Sequence, residues 1–122
     1  METENIQSYR DLIVWQKSMD LVVLVYRITE NYPKSEIYGL TSQSRRCVVS
    51  IPSNIAEGRF RGSRKDFRHF LITAFASGAE LETQLEVALR LKFVTEIQYS
   101  EATLLLTEIM KMLNAIIKKL DS

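Results

Sequence analysis

Along almost the whole chain, apolar residues recur at three- and four-residue intervals and strict alternation is nowhere sustained, so the pattern predicts helices rather than strands. Ser8 with Asp11 three residues on predicts the start of a first helix, and Pro33 its end. Leu12, Trp15, Met19, Val22, Val23 and Tyr26 share one face of it, which is expected to be the core face. A second helix is expected from Ser35 to a cap at Gly58, with Leu40, Cys47, Val48, Ile51 and Ile55 in one stripe. Pro52 falls inside it. An interior proline removes one backbone hydrogen bond and crowds the carbonyl four residues back, at about 3 kcal/mol unless the helix bends. The stripe keeps its phase across Pro52, which favours a kinked helix over two short ones.

The third helix is expected to start at Ser63, with Asp66 in its first turn, and to carry Phe67, Phe70, Leu71, Ala74, Gly78, Leu81 and Leu85 on its core side. Gly78 in a helix interior costs about 1 kcal/mol relative to alanine, which predicts a neighbouring backbone in close approach. Thr95-Glu96-Ile97-Gln98 is a capping-box pattern for a fourth helix carrying Ala102, Leu105, Leu106, Ile109, Leu113, Ile116, Ile117 and Leu120, with Lys118 and Lys119 suiting the negative end of its dipole. Four amphipathic helices with short connections predict an all-α fold: one domain over residues 1–122, an antiparallel up-down-up-down four-helix bundle with frayed residues 1–7.

The first helix carries more apolar surface than such a bundle can hide. Ile13, Val14, Leu21, Leu24, Val25 and Ile28 form another stripe opposite the expected core face, leaving only a narrow polar band with Gln16, Asp20 and Arg27. On the third helix Ile72, Ala76, Ala79 and Thr83 make a line of small and apolar residues away from its core stripe. These two surfaces are the expected interface of a homo-oligomer.

Composition narrows the setting. A single cysteine cannot form an internal disulfide and no signal-peptide pattern opens the chain, so a cytoplasmic protein is expected. No apolar run approaches the roughly 20 residues that cross a bilayer, so no membrane partner is expected. Formal charge is only +1, but its distribution is lopsided: residues 45–69 hold seven basic and two acidic side chains, a local +5 against −4 elsewhere.

That basic segment reads SIPSNIAEGRFRGSRK from Ser50 to Lys65. Pro52, Asn54, Glu57 and Gly58 form the expected structural junction, and Arg59, Arg61, Arg64, Lys65 and Arg68 cluster around it, with Arg45 and Arg46 further down the bundle. Phe60, between two arginines and two glycines, is read as a loop aromatic able to stack on a base while the arginines meet phosphates. Cations at a helix N-terminus oppose the dipole, so their placement points to binding of RNA or DNA rather than to stability. A scaffold for a protein partner is the alternative. No catalytic constellation accompanies the cluster: the lone His69 lies about three helical turns before Glu80, and no Glu-x-x-His repeat marks a di-metal bundle. No enzyme activity, metal or cofactor is expected. Cys47 falls on the core stripe, where a small buried hydrophobe is expected rather than a nucleophile.

The strings YRDLIVWQKSMDLVVLVYRIT, IYGLTSQSRRCVVSIPSNIAEG and GSRKDFRHFLITAFASGAELETQLEVALRL, from Tyr9 to about Val94, resemble the four-helix-bundle proteins encoded in intervening sequences of bacterial 23S ribosomal RNA genes. The resemblance implies a ring-like homopentamer with an unbroken, bent second helix, and kinship with the nucleic-acid-binding accessory proteins of diversity-generating retroelements. It carries Ser53, Asn54, Ala56, Glu57 and Gly58 over as the structural junction, and Arg59, Arg64, Lys65 and Arg68 as nucleic-acid contacts. Lys92 departs from the pattern, which commonly has a helix-ending glycine there; a left-handed cap would strain a lysine.

Overall fold

The computed structural model describes residues 8–121, so the expected fraying of residues 1–7 lies outside the described part. Four α-helices dominate: α1 Ile13–Thr29, α2 Leu40–Arg61, α3 Arg64–Arg90 and α4 Glu96–Asp121. One-turn 3-10 segments, Tyr9–Asp11 and Lys34–Glu36, precede α1 and α2. No strand occurs among the described residues. Each helix packs against its chain neighbours, and α4 closes on α1; the backbones of the diagonal pairs α1/α3 and α2/α4 stay more than 8 Å apart, Cα to Cα.

Cross-helix contacts descend one helix as they ascend the next. The Cys47 thiol donates to the Ser77 carbonyl (3.0 Å), while Gly58, eleven residues on in α2, lies against Phe67 and Phe70 near the start of α3. Likewise Glu86 meets Tyr99 whereas Arg64 meets Lys119. Within this frame Leu21, Val25, Val48, Ile51, Ile55, Leu71, Leu81, Leu85, Ile109 and Leu113 form a fully buried core. Thr95 opens α4 as expected: its hydroxyl accepts from the Gln98 amide (3.1 Å) and the Gln98 side chain accepts from the Thr95 amide (3.0 Å). Ser63 caps α3, its hydroxyl accepting from the Asp66 amide (3.0 Å).

Several boundaries and faces differ from expectation. Ser8 and Asp11 do form a capping box, but it closes the separate turn Tyr9–Asp11, and α1 begins at Ile13 without a side-chain cap. α2 starts at Leu40, not Ser35, and passes through buried Pro52 without interruption. Gly58 is not its cap. It lies inside the helix, where an added Cβ would stand 2.7 Å from the Phe70 Cβ, so its role is close packing of α2 on α3. The left-handed cap is Gly62, at φ +89°. At Gly78 the close neighbour is the Met110 side chain of α4 rather than a backbone. Lys92 adopts φ +63°: its amide donates to Leu89 O and the Phe93 amide to Ala88 O, a Schellman ending on a lysine.

The faces of α1 are partly exchanged: Leu12, Trp15 and Val22 of the expected core face do pack on the core, half-buried. Val14, Leu21, Val25 and Ile28, expected at an oligomer interface, are buried in the bundle, whereas Met19, Val23 and Tyr26, expected in the core, are exposed. Leu24 is half-buried and only Ile13 of that set is exposed. Two polar residues explain the exchange. Ser18 and Thr29 lie on the core face, yet each satisfies its hydroxyl on the carbonyl one turn back, Val14 O (2.6 Å) and Val25 O (2.7 Å), so burial leaves neither unpaired. The excess of apolar surface on α1 persists, on the opposite side.

Candidate nucleic-acid interface

The basic junction is built by two helix ends and one glycine. α2 finishes on Arg59-Phe60-Arg61, Gly62 reverses the chain, and α3 begins with Arg64 and Lys65. Helix α2 runs one turn further than expected, so Phe60 is helical rather than in a loop. It is 85% exposed, with no packing role to account for it.

Antiparallel packing adds a third element. The end of α4 lies beside the start of α3: Arg64 Nη2 donates to the Lys119 carbonyl (3.2 Å) and Arg68 Nε to the Ile117 carbonyl (3.3 Å), with Asp121 3.6 Å from the Arg68 guanidinium. The first of these bonds satisfies a carbonyl that the α4 C-terminus leaves without an intrahelical partner. They also revise the dipole argument. The α3 N-terminus repels cations, but the C-termini of α2 and α4 lie beside it and attract them, so part of the cluster is favourable for the fold itself. Arg61 is similarly engaged, ion-paired with Glu57 (2.8 Å) and stacked over the Phe70 ring at 4.9 Å. Asn54, in the turn containing Pro52, donates its side-chain amide to Ser50 O (2.7 Å).

What the sequence did not bring into the cluster is Lys118 and Lys119, which were read only as dipole partners of α4. With them, Arg59, Arg61, Arg64, Lys65, Arg68, Lys118 and Lys119 gather at one end of the bundle against Glu57, Asp66 and Asp121, an excess of four positive charges. An antiparallel bundle by itself implies this meeting, since α4 must finish where α3 begins. Lys65, Lys118 and Lys119 are exposed.

Arg45 and Arg46 stand apart, about 20 Å or more back along α2 at 1.5 Å per residue. Arg45 fastens α2 to the end of α1: Nε donates to Thr29 Oγ1 (2.8 Å), Nη2 to Tyr26 O (3.3 Å), and its guanidinium covers the Tyr26 ring at 4.7 Å. Its neighbour Arg46 is exposed. His69 lies edge-on to Phe70 at 5.3 Å. Burial pushes the Cys47 thiol up to about 12, reinforced by the charge of Glu80. Among the described residues no group of three His, Cys, Asp or Glu is arranged to hold a metal, and no helix is long and apolar enough to cross a membrane.

Two apolar stripes face outward on diagonal helices. On α1 it comprises Met19, Val23 (49% exposed) and Tyr26; on α3, Ile72 (42% exposed), Ala76, Ala79 and Thr83, with Val87 one turn further on. The α3 line is thus exposed, away from the core of the bundle.

A family model described as 23S rRNA-intervening sequence protein matches residues 10–115. Among solved structures, a protein of unknown function from the S23 ribosomal protein family of Bacteroides thetaiotaomicron is 31% identical over 87% of this chain and 96% of its own, with a TM-score of 0.79. No curated protein matches the chain.

Proposed function

The chain belongs to the 23S rRNA-intervening sequence protein family, and we propose that it is a non-enzymatic, cytoplasmic homo-oligomer that binds the phosphate backbone of RNA or DNA through its basic end. The observation that carries this reading is the convergence of α2, α3 and α4 on one surface with seven basic residues against three acidic ones. Fold stability accounts for part of Arg61, Arg64 and Arg68. It gives no reason for Lys65, whose charge faces solvent beside the α3 N-terminus.

Assembly follows from the stripes. They differ in character, large residues on α1 and small ones on α3, and they face away from each other, so copies would join head to tail and close as a ring. The resemblance to ring-forming relatives suggests five copies. Each ring would repeat the basic end and multiply its field.

Light scattering combined with fluorescence anisotropy tests both parts. An oligomer mass is expected for the native chain, and a monomer for Val23→Glu and for Ala79→Glu. Affinity for nucleic acid should fall linearly on a log–log plot against salt, with a shallower slope in Lys65→Glu/Lys118→Glu. A native monomer at micromolar concentration removes the ring. Absence of binding at low salt removes the nucleic-acid reading. A protein partner is the second reading, favoured by Ile97 and Leu104, which are 82% and 73% exposed on α4 outside both stripes. Such a partner would stay bound after nuclease treatment.

A further inference from the structure

The basic end also contains a cleft. Its walls are Ser8, Tyr9, Arg59, Phe60 and Gly62, and it encloses about 400 Å³, within the roughly 300–1,000 Å³ typical of ligand pockets. Two of those five residues are aromatic and one is a guanidinium.

Tyr9 is held in place from behind. Its ring meets the Trp15 ring at 5.3 Å with an interplanar angle of 62°, and the Arg10 guanidinium lies 5.8 Å from the Tyr9 centroid and 5.5 Å from that of Trp15. The segment carrying it is closed by the Ser8–Asp11 capping box and packs on α2. Phe60, on the last turn of α2, lines the same cleft. A phenyl ring this exposed is costly to keep in water and is suited to stacking.

We propose that this cleft receives an unstacked base of a single-stranded nucleic acid, which stacks on Phe60 and Tyr9 while Arg59 and the neighbouring lysines hold the flanking phosphates. Duplexes hide their base faces, and an aromatic side chain reaches a base only when the strand is open. Cation–aromatic contacts at Arg10 hold Tyr9 in place before a base arrives, which lowers the ordering cost of binding. The inference rests on the reading of the basic end as a phosphate-binding surface, and it narrows the partner to single strands, loops and frayed ends.

The test compares a homopyrimidine RNA strand of about 20 nucleotides with a duplex of the same length, using anisotropy at several salt concentrations. The single strand should bind more tightly than the duplex. Phe60→Ala should weaken the single strand roughly 5- to 100-fold, the usual worth of one base–aromatic stack, with an unchanged salt slope. Phe60→Tyr should retain binding. Phe60 is on the surface, so these variants are expected to fold, which circular dichroism verifies. Trp15 is the sole tryptophan, and its emission should change with the single strand and not with the duplex. Equal affinity of Phe60→Ala and the native protein for the single strand overturns the stacking inference. If Lys65→Glu/Lys118→Glu still weakens both ligands in that case, the basic-end reading stands alone. Failure of both ligands to bind at low salt overturns both.

Discussion

Replacing Gly58 by alanine should destabilise the protein, although alanine is the better helix former. On intrinsic propensity alone, the change in the last turn of α2 would gain at most about 1 kcal/mol. The structure sets a larger cost against that gain. The new methyl carbon would stand 2.7 Å from the Phe70 Cβ, and 3.3 Å from both Phe67 Cδ1 and the Phe67 carbonyl oxygen. A Cβ and a carbonyl are fixed to the α3 backbone and cannot swing aside, so α2 and α3 must separate at their closest crossing. Overpacking of this kind costs about 1–3 kcal/mol, and the rigid neighbours place it toward the upper part of that range. The net expectation is a loss of about 1–2 kcal/mol. With an unfolding entropy near 2.1 cal/mol/K per residue, a chain of this length loses about 4 °C of midpoint per kcal/mol, hence about 4–8 °C. Urea and thermal unfolding followed by circular dichroism measure it, at one fixed protein concentration so that assembly does not shift the midpoint. Gly78→Ala is the control. There the obstacle is the flexible end of Met110, and the expected change is within about 1 kcal/mol of zero. A Gly58→Ala protein more stable than the native one would refute the close-packing account and return Gly58 to the role of an ordinary helix glycine.

Lys92→Gly should raise stability by about 0.5–1 kcal/mol in the same assay, because the left-handed conformation at φ +63° strains a lysine and suits glycine. Thr95→Ala should lower it by about 1 kcal/mol through loss of the α4 cap. The Cys47 thiol should resist aromatic disulfide reagents at pH 8 in the native protein and react on unfolding. Burial and Glu80 push its folded value up to about 12, from an ordinary value of 9.0. The folded value exceeds the unfolded one, so its contribution is intact below about pH 9 and is lost as pH rises toward 12. The alkaline fall in urea midpoint should accordingly be shallower in Cys47→Ala.

The helix count, the starts of α3 and α4, and the cores of α2 to α4 were legible because local signals and burial agree there: Ser63 and Thr95 cap real helices, and Ile51, Leu81 and Ile109 lie where periodicity puts them. The inner face of α1 was not legible. Its two sides differ little in apolar content, and the side that faces inward holds Ser18 and Thr29, whose hydroxyls satisfy themselves on their own helix. Choosing between Gly58 and Gly62 as the α2 terminus required knowing that Phe70 would press on the first. At the basic end, Arg59 to Arg68 were visible as a run in the chain, whereas Lys118 and Lys119 join it only through the return of α4, and Tyr9 only through the packing of its 3-10 turn on α2. The electrostatic reading was incomplete for a related reason: a dipole argument made on α3 alone omits the neighbouring helices that end where it starts.

The position of Ser8 on the cleft and of Lys119 against Arg64 has a practical corollary. An affinity handle or fluorophore attached at Ser8 or Lys119 would emerge over the very surface under test and shadow it, and a polyhistidine tail would add its own charge. The bend between α1 and α2, from Glu30 to Gly39 at the far pole, is the place where a label leaves that surface clear.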